Sequence, residues 1–245
     1  MELDTKKIND YLNSNKFDYK IFSMGYNKIM KEVINRLDIK NDSVFKHFGS
    51  IKEMQNLNLF LSELGDNTPN DIKQIEKIII SIIKKILKCY KKTHFWIDIR
   101  VTLPNSNFDI PRWHKDGSFF STETHSSKFV TVLKGPGTLL VKGTKKINQI
   151  YNEILIEKRK EYNLIKDKTF NIQIENKYRL IIAAKLANEK IVKLKNTQGV
   201  IFFSGNPNII AALHSEPPNN TPRLFISILP STESNIKELK QRWIK

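Results

Sequence analysis

The sequence predicts an α+β protein in which a helical N-terminal third supports an antiparallel sandwich or barrel. Two observations carry this. Apolar residues recur at helical spacing up to about residue 90 and then alternate from residue 94. The later segments are short, strand-like and broken by Gly and Pro. With 245 residues, 40% hydrophobic and 10% aromatic, the chain can bury a full core as one large domain or one domain with additions. We place a mainly helical region at 1–92 and a strand-rich core at 93–245, together one compact unit.

The clearest helix is "DIKQIEKIIISIIKKILKCYKK", where Ile72, Ile75, Ile79, Ile82, Ile83, Ile86 and Tyr90 share one face. Asn70 or Asp71, just after Pro69, is the expected cap, and the stripe calls for a large partner such as a sheet face. In "HFWIDIRVTLP", Phe95, Ile97, Ile99, Val101 and Leu103 alternate with Trp96, Asp98, Arg100 and Thr102, a strand with one apolar and one polar face. "SKFVTVLKGPGTLLVKG" reads as two short strands broken at Gly135-Pro136-Gly137. Residues 144–163 read as a charged helix, and "TFNIQIEN", "KYRLIIAAKL", "KIVKLK", "GVIFFSG" and "PRLFISILP" as strands.

The net charge is +16, with 41 basic residues, of which seven are Arg. A Lys-, Asn- and Ile-rich bias is what an AT-rich genome produces, and Arg reads phosphates and bases better than Lys. The charge is therefore weak support for a nucleic-acid partner. It is concentrated: residues 142–195 hold fourteen Lys or Arg against six Asp or Glu, half of the total excess, and read as a basic insertion. Its default role is a solvated face and its alternative a docking surface for an acidic partner. One cysteine, Cys89, excludes an intramolecular disulfide and a cysteine-rich zinc site. The N-terminus carries no apolar signal region and no apolar run spans a membrane, so a soluble, intracellular protein is expected.

The stretch "IPRWHKDGSFF" holds the candidate chemistry. On an extended chain Arg112, His114 and Asp116 project to one side, while Trp113, assigned to the core, and Lys115 project to the other. His-x-Asp can give two cis ligands to one metal ion. Of five histidines (His47, His94, His114, His125, His214), His214 lies in "AALHSEPPNNTPRLFISILP", between two apolar strands, with Arg223 nine residues on. Two His and one carboxylate form the facial triad of non-haem Fe(II) oxygenases. A buried Arg suits the far carboxylate of a dicarboxylate cosubstrate. His125 falls in the polar loop "STETHSS" and reads as lid or surface; His47 and His94 are not assigned as ligands.

At "WHKDG", "VTVLKGPGTLL" and "LHSEPPNNTPRLFISI" the chain resembles the Fe(II)/2-oxoglutarate-dependent dioxygenase superfamily, in an uncharacterised branch with a Gly-Pro-Gly-Thr turn. The resemblance covers roughly residues 95–230. It implies a double-stranded β-helix, a cupin-like jelly roll, backed by helices. It also implies Fe(II) on His114, Asp116 and His214, 2-oxoglutarate held by Arg223, O2 as co-reactant, and hydroxylation of a C–H bond. Two departures stand out: the wide gap from Asp116 to His214, filled by the basic insertion, and Phe225, where many members have Ser or Thr. Ser227, on the face of Arg223, is a substitute contact, and Thr131 or Lys134 is a further candidate. Arg100 either binds substrate or cosubstrate in place of Arg223, or pairs with Asp98 at the barrel rim; both readings stand. The expected substrate is a protein or peptide docked on the basic surface. The alternatives are oxidative demethylation of nucleic acid, a small-molecule substrate in a closed pocket, and a non-enzymatic basic module that binds nucleic acid.

Overall fold

The computed structural model describes residues 1–14, 18–104, 110–117, 119–120, 125–164, 170–205, 211–218 and 220–243. In chain order these form α1 (Thr5–Leu12), β1 (Tyr19–Ser23), α2 (Lys28–Arg36), β2 (Ser43–Ser50), α3 (Leu57–Ser62), α4 (Pro69–Tyr90), β3 (His94–Thr102), β4 (His125–Lys134), β5 (Leu139–Val141), α5 (Lys145–Asn163), α6 (Ile172–Lys185), β6 (Ile191–Lys193), β7 (Gln198–Gly205), β8 (Leu213–Ser215), β9 (Arg223–Ser231) and α7 (Glu233–Trp243). Helices and antiparallel strands are mixed, as the α+β expectation requires.

Six strands form a large sheet in the order β1-β7-β4-β9-β3-β2, and three form a small one in the order β6-β5-β8. A single bridge between His114 and His214 adds one more rung to the small sheet, beside β8. From β3 onward the chain passes between the sheets: large at β3, small at His114, large at β4, small at β5 and β6, large at β7, small at β8, large at β9. Val130, Val200 and Phe202 of the large sheet pack with Leu140 of the small one, so the two sheets face each other.

The helices cover the other face of the large sheet. Thr68 caps α4 through its hydroxyl on the Asp71 amide (3.1 Å), Pro69 takes the first helical position, and Asp71 pairs with Arg36 at 2.7 Å. The cap therefore lies one residue before Pro69, not at Asn70 or Asp71, because Pro is preorganised for the first turn and lacks only an amide that would go unused. The α4 stripe is buried against Phe95, Ile97 and Ile99 of β3, Phe129 of β4, and Ile226 and Ile228 of β9. Each such side chain contributes about 1.5–3 kcal/mol on burial, so this layer is the main source of stability.

Several local expectations are corrected. The first 90 residues are not simply helical: β1 and β2 form the two edges of the large sheet. "TFNIQIEN" and "KYRLIIAAKL" form no strand. They supply α6, where Ile174, Tyr178 and Ile182 lie on one face at four-residue spacing and Asn171 caps Gln173 and Ile174. The β-branched composition suggested strands; the spacing of the buried residues decides for helix. The C-terminal α7, which buries Ile236 and Leu239 against Phe48 and Trp96, was not foreseen. The insertion is not only decoration, since α5 and α6 pack on Trp113, Val141 and Leu213 and its last segment, β6, pairs with β5. Trp113 lies in that core, as expected.

The Gly-Pro-Gly turn between β4 and β5 ties the sheets together. Gly135 has φ +88°, and a side chain there would also meet the Pro222 carbonyl. At Gly137 a Cβ would lie 1.8 Å from the Leu194 carbonyl oxygen. Substituting Gly137→Ala forces backbone apart and should cost about 1–3 kcal/mol. A urea titration should show a lowered midpoint with unchanged slope.

Candidate active site

The site lies on the inner faces of the two sheets. His114 and His214 exchange backbone bonds, His114 N–H to His214 O at 2.9 Å and His214 N–H to His114 O at 3.0 Å. Residues directly opposite in an antiparallel pair share a face. His214 is also opposite Leu140 in β5, whose side chain points between the sheets. Both imidazoles therefore point inward, their centroids 4.2 Å apart, with the His214 ring 4.4 Å from that of Phe202 on β7. The sequence expectation of an extended strand around His114 is reduced to that single bridged residue, but the spacing argument holds: Asp116 comes to the same place.

His114, Asp116 and His214 each offer a ligand atom, and these atoms lie within 4.8 Å of one another. His214 Nε2 is 3.6 Å from Asp116 Oδ2. His214 is 6% exposed, while His114 and Asp116 stay partly open on one side. The His114 Nδ1 lies 2.8 Å from the Arg112 carbonyl oxygen. That acceptor fixes Nδ1 as the protonated nitrogen and leaves the Nε2 lone pair available.

The electrostatics hold all three groups in the form a metal requires. Burial lowers the pKa of His114. Burial, helped by His114, brings that of His214 down to about 3. For Asp116 burial opposes the charge, but Lys128 and the two histidines outweigh it and hold the carboxyl well below the usual range. At neutral pH the set is two neutral imidazoles and one carboxylate, the donor set that suits Fe(II). The residues present thus fit such an ion.

Two charged neighbours were missed by sequence reasoning. Lys128 projects inward from β4 with its Nζ 2.5 Å from Asp116 Oδ2, between the rings of Phe119 and Phe202. Glu216 accepts from Arg112 at 2.6 Å (Nη2) and 3.4 Å (Nε). Burial opposes the Glu216 charge too, and His114 with Arg112 brings its pKa down to about 2. The available signals were a lysine within an apolar strand and a glutamate two residues after His214.

The remaining candidates separate clearly. Arg223 is 4% exposed on the inner face of β9; its Nε donates to the Pro136 carbonyl (2.9 Å) and its Nη2 to Thr138 Oγ1 (3.2 Å). Both acceptors are neutral, and burial pulls its pKa down to about 10. Arg100, by contrast, holds Asp98 through Nε (2.7 Å) and Nη2 (2.5 Å), the rim pairing foreseen. Ser227 lies on the inner face, opposite both Asp98 and Val130. Thr131 is not brought to the site. It follows Phe129 on the helix-facing side and donates to the Gln198 carbonyl at 2.9 Å. Lys134 is also elsewhere, donating to the carbonyls of Asn35 and Leu37 at the end of α2. His47 and His94 lie in β2 and β3, outside the triad. The loop 121–124 and the His125 side chain, read as lid or surface, are outside the described residues.

A cavity of about 520 Å³ lies beside the triad, lined by Arg100, Arg112, Arg179, Arg223, Glu216 and Phe225 among others. No helix among the described residues is long and apolar enough to cross a membrane.

No protein-family model matches the chain, and no curated protein does. Among solved structures it is similar to the Kdo hydroxylase KdoO, a non-haem Fe(II) α-ketoglutarate-dependent dioxygenase in complex with cobalt(II), with 11% identity over 96% of this chain and 87% of that one and a TM-score of 0.49. A Pseudomonas putida prolyl-4-hydroxylase is 10% identical over 93% of this chain and 98% of that one, TM-score 0.43. A Trichoplax adhaerens prolyl hydroxylase in complex with a hypoxia inducible factor peptide fragment is 10% identical over 96% and 91%, TM-score 0.41. Likeness at this level leaves chemistry to be read from the chain's own side chains.

Proposed function

We propose that this protein is an Fe(II)- and 2-oxoglutarate-dependent oxygenase that hydroxylates a C–H bond. The observation that carries the reading is the pairing of an inward-facing His114–Asp116–His214 donor set with a buried Arg223 whose hydrogen-bond partners among the described residues are all neutral oxygens. A buried guanidinium with no carboxylate partner costs free energy unless an anion completes it. The distal carboxylate of a dicarboxylate cosubstrate is such an anion, and a guanidinium binds it with two parallel bonds. Arg223 takes this role rather than Arg100 because Arg100 spends its Nε and Nη2 on Asp98 and keeps one Nη for a further contact, whereas Arg223 meets only neutral oxygens among the described residues. Ser227 is the polar neighbour on the same inner face.

The passage of the chain from sheet to sheet supports assigning the core as a double-stranded β-helix, the jelly-roll arrangement in which paired strands alternate between facing sheets. With Fe(II), 2-oxoglutarate and O2 in place, the cofactors supply the oxidation, one oxygen atom going to the C–H bond and the other to succinate as CO2 leaves. The protein's own part is orientation and dryness. The Arg112 carbonyl fixes the His114 tautomer, the bridge fixes the ring positions, and Phe202, Val130 and Leu140 form an apolar wall. A protein or peptide remains the substrate class we carry forward, supported by the basic α5–α6 hairpin, from which Arg179 reaches the cavity. The nucleic-acid readings draw on net charge alone.

Adding Fe(II) and 2-oxoglutarate without oxygen should give a visible charge-transfer band. His114→Ala and Asp116→Ala should abolish it, and Arg223→Gln should raise the 2-oxoglutarate requirement about tenfold or more, the equivalent of one charge-assisted contact. A band that survives in Asp116→Ala would overturn the assignment.

Lys128 gives a second test. Its ammonium sits on the carboxylate that a metal must share. In Lys128→Met the competing cation is gone and Asp116 is left uncompensated. The metal-free protein should melt at a lower temperature, and Co(II) should raise Tm by more than it does in the wild type. An equal or smaller rise would mean that Lys128 does not compete for Asp116.

A further inference from the structure

From the cavity beside the triad we infer that the substrate carries an acidic group, a carboxylate or phosphate, and that Arg112, Arg100 and Arg179 receive it. This rests on the oxygenase reading for its chemistry but on the cavity alone for its recognition.

The first observation is compositional. The chain has 41 basic residues, only seven of them Arg. Four of those seven line this cavity, and among the described residues no Lys does. If the positive charge here were an unselected surplus, Lys would dominate the wall as it dominates the sequence. Arg differs from Lys in its planar, bidentate fork, which matches carboxylate and phosphate. The cavity thus concentrates the residue type suited to anions, in a volume of about 520 Å³, within the range of small-ligand sites.

The second observation is orientation. Arg100 and Arg112 are each clamped along one edge by a carboxylate, Asp98 and Glu216, through Nε and Nη2. A guanidinium has five N–H donors in a fixed fork, so each clamp leaves the remaining Nη to the cavity. Asp98 is 2% exposed and cannot itself meet a ligand from solvent; it holds Arg100 in place. Arg179 arrives from α6, within the basic segment, and so links the cavity to the surface hairpin. Arg223 is occupied in the proposed complex by the cosubstrate. The other three then face the substrate, with the Arg112–Glu216 pair beside His114.

The test uses the protein loaded with redox-inert Zn(II) and 2-oxoglutarate, and isothermal titration with acid and amide pairs in which the side chain is the only acidic group: N-acetylglutamate α-methylamide against N-acetylglutamine α-methylamide, and an N-acetylated, C-terminally amidated Glu-Gly octapeptide against its Gln-Gly counterpart. The acidic member of at least one pair should bind about tenfold or more tightly than its amide, a difference of one charge-assisted contact. Arg100→Gln, which can still hydrogen-bond Asp98, and Arg179→Gln should each erode that preference. Selectivity for the single blocked residue identifies a small acid as substrate. Selectivity confined to the peptide, and weakened by salt, identifies an acidic side chain presented across the hairpin. Equal binding of acid and amide in both pairs, or a preference unchanged in both variants, overturns the inference. The Fe(II) band reports separately on the oxygenase reading: a band without acid selectivity removes only the substrate class, and acid selectivity without a band leaves a binding protein for acidic ligands.

Discussion

Everything at this site depends on two reciprocal backbone hydrogen bonds between His114 and His214. They join segments a hundred residues apart and put both imidazoles on one face of the small sheet, because directly opposed residues in an antiparallel pair point the same way. A one-residue slip would turn one ring outward and replace it with Trp113 or Lys115. Trp113 resists that slip. It is 4% exposed in the cluster made by Val141, Ile147, Tyr151 and Leu213, so moving it costs a large buried surface. Lys115, on the same outer side, is held by Asn148 and Asn152 of α5. The insertion therefore sets the register of the segment that carries His114 and Asp116, which gives a structural reason for its position between the two histidine-bearing elements.

The large sheet provides the rigid side. Its outer face is packed by α4 and its inner face carries the polar row Asp98, Ser227, Lys128 and Arg223 among Trp96, Val130, Phe202 and Phe225. Lys128 lies opposite Phe202 in the β4–β7 register, and Phe202 in turn meets the His214 ring. One pair of strands thus positions both the charge that faces Asp116 and the aromatic wall beside His214. The Gly-Pro-Gly turn does the same for Arg223: Gly137 allows β5 to approach Leu194, and the Pro136 carbonyl receives the arginine.

Much of this was legible in the sequence, and the rest failed for identifiable reasons. The alternation of "HFWIDIRVTLP" and the stripe of α4 are local patterns set by one dominant partner, and both were read correctly in type. His114, Asp116 and His214 could be brought together because spacing two on an extended chain and a histidine between apolar strands leave few arrangements. Strand phase was not legible in "FVTVL": Phe129, Val130, Thr131, Val132 and Leu133 are all buried, so neither face is marked as inward. Thr131, named only as a further candidate, faces the helices, and Lys128, on the inner side, was overlooked. The edge strands β1 and β2 escaped notice because only four of their thirteen residues are buried, which leaves a weak alternation. The α6 helix was hidden by Ile172, Ile174, Ile181 and Ile182, whose strand preference is weaker than tertiary packing.

The distribution of charge between the two sheets connects these features. Asp98 is matched by Arg100, Asp116 by Lys128 and Glu216 by Arg112, each within hydrogen-bond distance. Arg223 alone among these seven groups has no hydrogen-bonded acidic partner among the described residues, so the set carries one uncompensated positive charge. A buried charge of that kind is tolerated only where a ligand regularly supplies its counterpart. Fe(II) and a dicarboxylate cosubstrate bring equal and opposite charges, so their binding repartners the groups without changing the total. In the proposed complex the iron would take Asp116 from Lys128 and the cosubstrate would take Arg223. One positive charge is still left, now free to be shared among Lys128 and the arginines of the cavity wall. A substrate with a single acidic group would bring the interior to neutrality, and a neutral one would leave the imbalance in place. Charge balance and the preference for Arg over Lys along the wall thus lead by separate routes to an acidic substrate.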